Sequence, residues 1–172
     1  MRDQTAISRI LLGLTLTVLV FAACKREPKR SEYFEKVFKE KAGATFRGVD
    51  LGMPLNEIRK IEASSPKHDD QWGQVFEYGL GGKNKYFVEY LVRDPAAKTV
   101  SSIVSNILLE EKSAAADLFT EIEMHLRNRY GVADGTLGNL RWIDEEINLL
   151  VALRMLDDKK SISLSYGAIQ SF

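Results

Sequence analysis

The sequence feature that most constrains this chain is its single cysteine, Cys24, which closes an apolar run that begins at Ile10. One cysteine cannot form a disulfide within the chain, so the folded part rests on packing alone. The run of about 15 residues would span about 22 Å as a helix, short of the roughly 30 Å of a bilayer core. Arg2 and Arg9 precede it. A basic start, an apolar middle and small residues before the break predict a secretory signal peptide over residues 1–23.

The residues around the cysteine indicate the fate of the cleaved chain. Phe21-Ala22-Ala23-Cys24 resembles a bacterial lipobox. The resemblance implies that Cys24 receives a diacylglyceryl group and a fatty acid such as palmitate, and becomes the first residue of a membrane-anchored lipoprotein. In the best-known sorting rule, an aspartate after the lipidated cysteine retains a lipoprotein in the inner membrane, and this chain has Lys25 there instead. By resemblance, the outer membrane is therefore favoured if the cell has two membranes, with the protein facing the periplasm or the cell surface. The alternative is plain cleavage after Ala23, which leaves a reactive free thiol.

The composition limits the class of partner. Removing the first 23 of 172 residues leaves 149, enough for one domain with its own core. The whole chain has 24 basic and 24 acidic residues, and the removed segment contains two basic and one acidic, which leaves 22 against 23. This near-neutral balance argues against nucleic acid, which selects a basic face. We expect the membrane and another envelope protein as partners, with no nucleic acid, cofactor or small-molecule substrate.

Periodicity divides the remaining chain into a tether, a helix and a domain. Residues 24–30 are a charged tether. Aromatic and apolar residues then recur at helical spacing and predict an amphipathic helix over residues 31–43. The domain is predicted over residues 44–172. It opens with a predicted helix at residues 55–63, beyond which residues 67–71 are expected to be a polar loop.

Alternating side chains predict two sets of three strands with a long helix between them. The predicted strands cover residues 72–80, 85–93, 99–110, 139–144, 147–156 and 161–169. The long helix has Ser113 as its predicted N-cap and ends at Gly131, after which residues 132–138 form a loop. Its predicted buried stripe is Ala115, Leu118, Phe119, Ile122 and Leu126. The order predicts a two-layer α+β fold, in which repeated helix-plus-three-strand units form an antiparallel sheet with helices on one face.

One segment carries a family resemblance. Val49 to Ile58, VDLGMPLNEI, resembles the Gly-Met segment that opens the first helix of small outer-membrane lipoproteins of the SmpA/OmlA (BamE-like) type. A helix-plus-meander unit that occurs twice is similar to the architecture of the β-lactamase inhibitory protein. Together these resemblances imply a non-enzymatic, membrane-tethered binding module, and they assign a role to no individual residue.

Residues that could carry chemistry are few. His68 with Asp69 and Asp70 is the one compact cluster of potential ligands, and adjacent side chains rarely converge on one ion, so we expect no metal site. His125 lies at the edge of the predicted buried stripe and is expected to be structural. The leading hypothesis is a non-enzymatic envelope lipoprotein that binds a protein or supports an assembly. The alternatives are an inhibitor or immunity-type protein against an exported enzyme, and a small hydrolase with dispersed carboxylates.

Strand parity predicts the binding surface. If Tyr86, Val88 and Tyr90 face the helices, their neighbours along the strand face the other way. The candidate partner-binding residues on that outer face are Phe87, Leu91, Val104, Leu108 and Leu150. A mixed apolar and charged face of this kind usually has a cover. Two covers are available, the helix at residues 31–42 or a partner protein, and we expect the helix.

Overall fold

The computed structural model of this chain describes residues 30–39, 43–62 and 64–169. The predicted signal peptide, Cys24 and the tether before Arg30 lie outside these residues. The described helices are α1 (Glu32–Phe38), α2 (Leu55–Glu62) and α3 (Lys112–Tyr130). The strands are β1 (His68–Asp70), β2 (Gly73–Gly81), β3 (Asn84–Leu91), β4 (Ser102–Leu108), β5 (Asp134–Thr136), β6 (Asn139–Asp144), β7 (Leu149–Met155) and β8 (Ser161–Ala168).

All eight strands belong to one antiparallel sheet, in the order β1-β2-β3-β4-β8-β7-β6-β5. The first four strands, β1 to β4, follow one another from one edge of the sheet to its centre. After α3, strands β5 to β8 follow one another from the opposite edge to the centre, where β8 lies beside β4. There β4 and β8 pair over nearly their whole length, from Ser102 opposite Gly167 to Leu108 opposite Ser161. This pairing joins residues that are far apart in sequence into one continuous sheet.

The predicted two-layer α+β fold of repeated helix-plus-three-strand units is therefore wrong. The described residues form a single eight-stranded sheet with three helices, and among them no unit of one helix and three strands is repeated. Two of the strands fall in segments predicted to be loops, β1 within residues 67–71 and β5 within residues 132–138. Both are three-residue edge strands of polar residues and glycine, too short to show an alternating pattern.

The core lies on one side of the sheet, which we call the inner face. Tyr86, Val88 and Tyr90 of β3 are buried there, as parity predicts. The predicted stripe of α3 is confirmed, because all five of its residues are buried in the same core. The predicted N-cap is wrong: α3 begins at Lys112, and its N-cap Glu111 makes no side-chain hydrogen bond. The helix is capped by Gly131, as predicted.

Helix α1 packs into this core, so the prediction that it covers the outer face is also wrong. Phe34, Val37 and Phe38 are at most 3% exposed. The hydroxyl of Tyr86, an inner-face residue, donates to the carbonyl of Lys36 at 2.9 Å. Parity identifies two faces, but the aromatic residues and hydrogen-bond donors of the inner face determine which one receives this helix.

Candidate binding surface

The outer face of the sheet carries the alternate side chains that do not enter the core. The strand registers arrange them in rows across β3, β4, β8 and β7. The first row is Leu91, Ser102, Gly167 and Leu150. The second is Glu89, Val104, Ser165 and Ala152. The third is Phe87, Asn106, Ser163 and Arg154. All five candidate partner-binding residues lie on this face or its margin, as the predicted strand register requires.

The five candidates differ in how much surface they offer. Phe87, Leu91 and Val104 are half-buried. Leu108 is 37% exposed, whereas Leu150 is only 8% exposed and contributes little. That these residues bind a partner stays a prediction.

The half-buried Val75 and the more exposed Ile143 are apolar residues of the outer face that are absent from the predicted set. Ile143 pairs with Leu150 on the neighbouring strand and is 55% exposed. Its strand, β6, carries only one apolar outer residue, so sequence alternation does not single it out.

Two acidic and two basic residues of the outer face lie on opposite halves, although each half also carries a residue of the other sign, Lys85 on β3 and Asp134 on β5. Glu77 and Glu89 lie on the β2–β3 half, and Arg141 and Arg154 lie on the β6–β7 half. Between the two halves, β8 presents only small side chains to this face, those of Ser161, Ser163 and Ser165.

Two of these four charges have partners of opposite sign nearby. Glu77 is 3.5 Å from Lys85 Nζ, and Arg141 is 3.4 Å from Asp134. Glu89 accepts a hydrogen bond from the amide of Asn106 at 2.9 Å. Within the described part of the chain, no ion pair engages Glu89 or Arg154.

A buried ionic cluster lies on the inner face, beneath α1 and α2. Its centre is Arg47, 4% exposed, and Glu62, 3% exposed. Arg47 Nε donates to Glu62 Oε1 at 2.9 Å and Nη2 donates to Oε2 at 2.7 Å. Arg47 Nη1 donates to the carbonyl of Val37 at 2.8 Å, near the end of α1. The hydroxyls of Tyr78, at 2.8 Å, and Tyr90 also donate to the Glu62 carboxylate.

The pKa shifts in this cluster result from burial and from the paired charges. Burial opposes ionisation of Glu62, but the hydrogen bonds and charge of Arg47 outweigh it, so the pKa of Glu62 lies below its usual value. Burial also opposes the charge of Arg47, and Glu62 reverses this effect, so the pKa of Arg47 is raised. Burial, followed by the nearby Glu62, raises the pKa of Tyr90. Burial also raises the pKa of Tyr78 to about 12. The cluster thus consists of the charged pair Arg47 and Glu62 and of two tyrosine hydroxyls that stay protonated at neutral pH.

No sequence pattern singles out this cluster, although one signal is present. In α2, Glu62 falls four residues after the buried Ile58, on the apolar side of the helix. A carboxylate at an apolar position needs a buried partner. The partner, Arg47, lies in an irregular segment, where no periodic pattern in the sequence indicates that it is buried. Since both side chains are almost closed to solvent, we interpret the cluster as a structural connection between α1, α2 and the sheet.

The His68 cluster lies on β1, not in the polar loop predicted for it. His68 Nε2 is 2.9 Å from Asp70 Oδ2, whereas Asp69 pairs with Arg59 of α2. The hydrogen bond from His68, followed by one from the Trp72 amide, lowers the pKa of Asp70. Within residues 30–39, 43–62 and 64–169, no group of three histidine, cysteine or carboxylate side chains could hold a metal ion.

His125 is engaged in packing. Its side chain is half-buried, and its ring meets Phe34 at 5.3 Å and Phe38 at 4.9 Å between ring centres. This position at the edge of the α3 stripe is the predicted one.

An open cleft of about 790 Å³ lies between the start of α2 and β1. Arg59, Asp69, Asp70 and Lys98 are among its lining residues. Its two carboxylates are held by Arg59 and by His68, so each acid of the described lining already has a partner. The cleft offers no arrangement to which a reaction can be assigned.

Comparison with known proteins adds no identification. No protein family model matches this chain, and no curated protein or solved structure matches it either. None of the described helices is long and apolar enough to cross a membrane. The resemblances of the signal region and of Val49 to Ile58 therefore stay predictions.

Proposed function

We propose that this chain is a lipid-anchored binding module of the cell envelope, which binds a protein through the outer face of its sheet and catalyses no reaction. The observation that carries the proposal is the outer face itself. Within the described residues no helix covers it, since α1 packs on the inner face. The face combines half-buried apolar side chains, the exposed Leu108 and Ile143, and two charges that no described ion pair engages. A mixed apolar and polar patch of this kind is typical of a protein-binding surface.

The lipid anchor is the second part of the proposal and rests on the lipobox-like residues that end in Cys24. Metabolic labelling with a fatty acid tests it directly. The full chain should take up label, and Cys24→Ala should take up none, because no other cysteine can receive the diacylglyceryl group. Lys25→Ala, which leaves the cysteine in place, is the matched control and should be labelled. Absence of label from the unmodified chain would show that the anchor is wrong.

Site-specific photo-crosslinking in cells tests the outer face. A photo-reactive amino acid at Phe87, Leu91 or Leu108 should give crosslinks to a protein. The same amino acid at Met124, which is 41% exposed on α3, is the control and should give none. Crosslinks from Met124 alone, or equally from all four positions, would contradict the proposal.

The captured protein also separates the candidate functions. An envelope assembly component supports the leading hypothesis. An exported enzyme whose activity falls on binding supports the alternative, an inhibitor or immunity-type protein, which would use the same face. Turnover of generic hydrolase substrates by the purified chain would instead support the third candidate, a small hydrolase with dispersed carboxylates.

A further inference from the structure

The distribution of side chains on the outer face makes the face complementary to itself. The sheet order is β1-β2-β3-β4-β8-β7-β6-β5, so four strands lie on either side of the β4–β8 boundary. Consider a second copy placed face to face with the first and related to it by a two-fold axis parallel to the strands at that boundary. Each strand then lies over a strand of the other half: β4 over β8, β3 over β7 and β2 over β6. The rows of outer-face residues stay aligned, because this axis keeps positions along the strands unchanged.

The residues opposed in this arrangement match in size and chemistry. On β3 and β7, Leu91 lies over Leu150 of the second copy in the first row, and because Leu150 is only 8% exposed this contact is small. In the third row Phe87 faces Arg154 of the second copy, and the ring of Phe87 already has Lys85 Nζ at 5.0 Å from its centre within its own copy. Because the arrangement is two-fold, each of these contacts occurs twice.

The two charges that no described ion pair engages also meet across this interface. Glu89 faces the small Ala152 of the second copy, and Arg154 lies two residues beyond Ala152 on the same side of that strand. The two rows are about 7 Å apart, within reach of an arginine side chain. Within one copy Glu89 and Arg154 lie on β3 and β7, three strand spacings or about 14 Å apart. A second copy thus supplies each charge with a partner of opposite sign.

The extent of the face agrees with a stable interface. Six strands of six to nine residues and two of three residues, at about 3.3 Å per residue and a spacing of about 4.8 Å, give roughly 800 Å² of sheet. Standard protein interfaces bury about 800 Å² on each partner. Two twisted sheets pack face to face with their strands within about 30° of parallel, and this axis places the central strands of the two copies within that range.

We propose that the occupant of the outer face is a second copy of this chain, bound face to face with Glu89 of each copy beside Arg154 of the other. The inference rests on the proposed function in that both use the outer face. Anchoring of both copies in one membrane would raise their local concentration and favour the pairing.

Charge reversal tests the proposal. Two full-length copies with different affinity tags are expressed in the same cells, extracted from membranes in mild detergent, and the co-recovery of one tag with the other is measured. Glu89→Arg in both copies, or Arg154→Glu in both copies, opposes like charges twice, so co-recovery should fall by roughly tenfold or more. Asp117→Arg, on the exposed side of α3, is the matched control and should leave co-recovery unchanged.

Mixing the two variants is the decisive measurement. The Glu89→Arg copy carries arginine at both positions and the Arg154→Glu copy carries glutamate at both, so a mixed pair restores both contacts with opposite charges. Co-recovery of this mixed pair should return to the wild-type level. The double variant, with both substitutions in one chain, should pair with itself. Restored co-recovery in the mixed pair also shows that each variant folds. A third protein that bridges two copies would not restore the co-recovery of the mixed pair.

Three results would overturn the proposal: no co-recovery of wild-type copies, wild-type co-recovery by either single variant, or no recovery in the mixed pair. Its failure is distinguishable from failure of the proposed function. If photo-crosslinks from Phe87 join the chain to a different protein while wild-type copies do not co-purify, the outer face binds a protein but not a second copy. If neither crosslinks nor co-recovery occur, both proposals are wrong.

Discussion

Removal of the charge from Glu62 gives the sharpest test of the buried ionic cluster. Glu62→Gln keeps the length of the side chain and one acceptor oxygen but removes the anion beside Arg47. The Arg47 side chain, which is 0% exposed, then stays buried without a counter-charge. Breaking a buried ion pair by removing one partner costs about 3–5 kcal/mol. For a domain of this size, that corresponds to a fall in Tm of roughly 6–20 °C.

The assay is urea unfolding, monitored by tryptophan fluorescence. Trp142 is 2% exposed and donates to the carbonyl of Gly131 at 3.0 Å, so its emission should change on unfolding, whereas Trp72 is already 53% exposed. Arg47→Met should cost a similar amount, because it leaves the carboxylate buried without its partner. The double variant Arg47→Met/Glu62→Leu replaces both charges with apolar groups and should cost clearly less than the sum of the single variants. Additive costs, or a cost below about 1 kcal/mol for Glu62→Gln, would refute the view that the pair is a coupled buried contact.

The same variant makes a prediction for acid. The pKa of Glu62 is lower in the folded chain than in the unfolded chain, so its stabilising contribution is present above the unfolded value of about 4.3. It is lost as the pH falls through the lower folded pKa. The stability difference between wild type and Glu62→Gln should therefore be greatest near neutral pH and shrink below about pH 4. A difference that grows in acid would contradict this sign.

Further predictions concern the core, the phenols and one edge strand. Ile122→Ala should cost about 2–5 kcal/mol in urea unfolding, because Ile122 is fully buried, whereas the exposed Met124→Ala should change stability little. In ultraviolet titration, Tyr78 should ionise near pH 12. Because the pKa of a tyrosine in the unfolded chain is about 10, the stability of the fold should fall as the pH rises above that value. Ionisation of all phenols near pH 10 without unfolding would contradict the burial of Tyr78. Gly135→Ala should open the β5–β6 pairing, because its added Cβ would meet the backbone carbonyl of Asn139, and faster amide exchange in β5 would report it.

The long elements can be predicted from the sequence alone. The stripe of α3 repeats at 3–4 residues over a helix of 19 residues, and β3, β4 and β8 alternate over seven or eight, so their periodicity stands out from chance. Parity needs only the strand, so the sequence also places Phe87, Leu91 and Val104 on the outer face. Edge strands of three residues, β1 and β5, carry no such pattern and are predicted as loops.

The way in which these elements combine depends on contacts through space. The β4–β8 pairing makes one sheet of eight strands, and it joins residues about 60 apart in sequence, which no local pattern records. The side of the sheet that α1 covers is set by Tyr86 and Arg47, whose donors bind the carbonyls of Lys36 and Val37. The pairing of Arg47 with Glu62 likewise exists only after folding, because the two charges lie on separate segments that meet when the core closes over them.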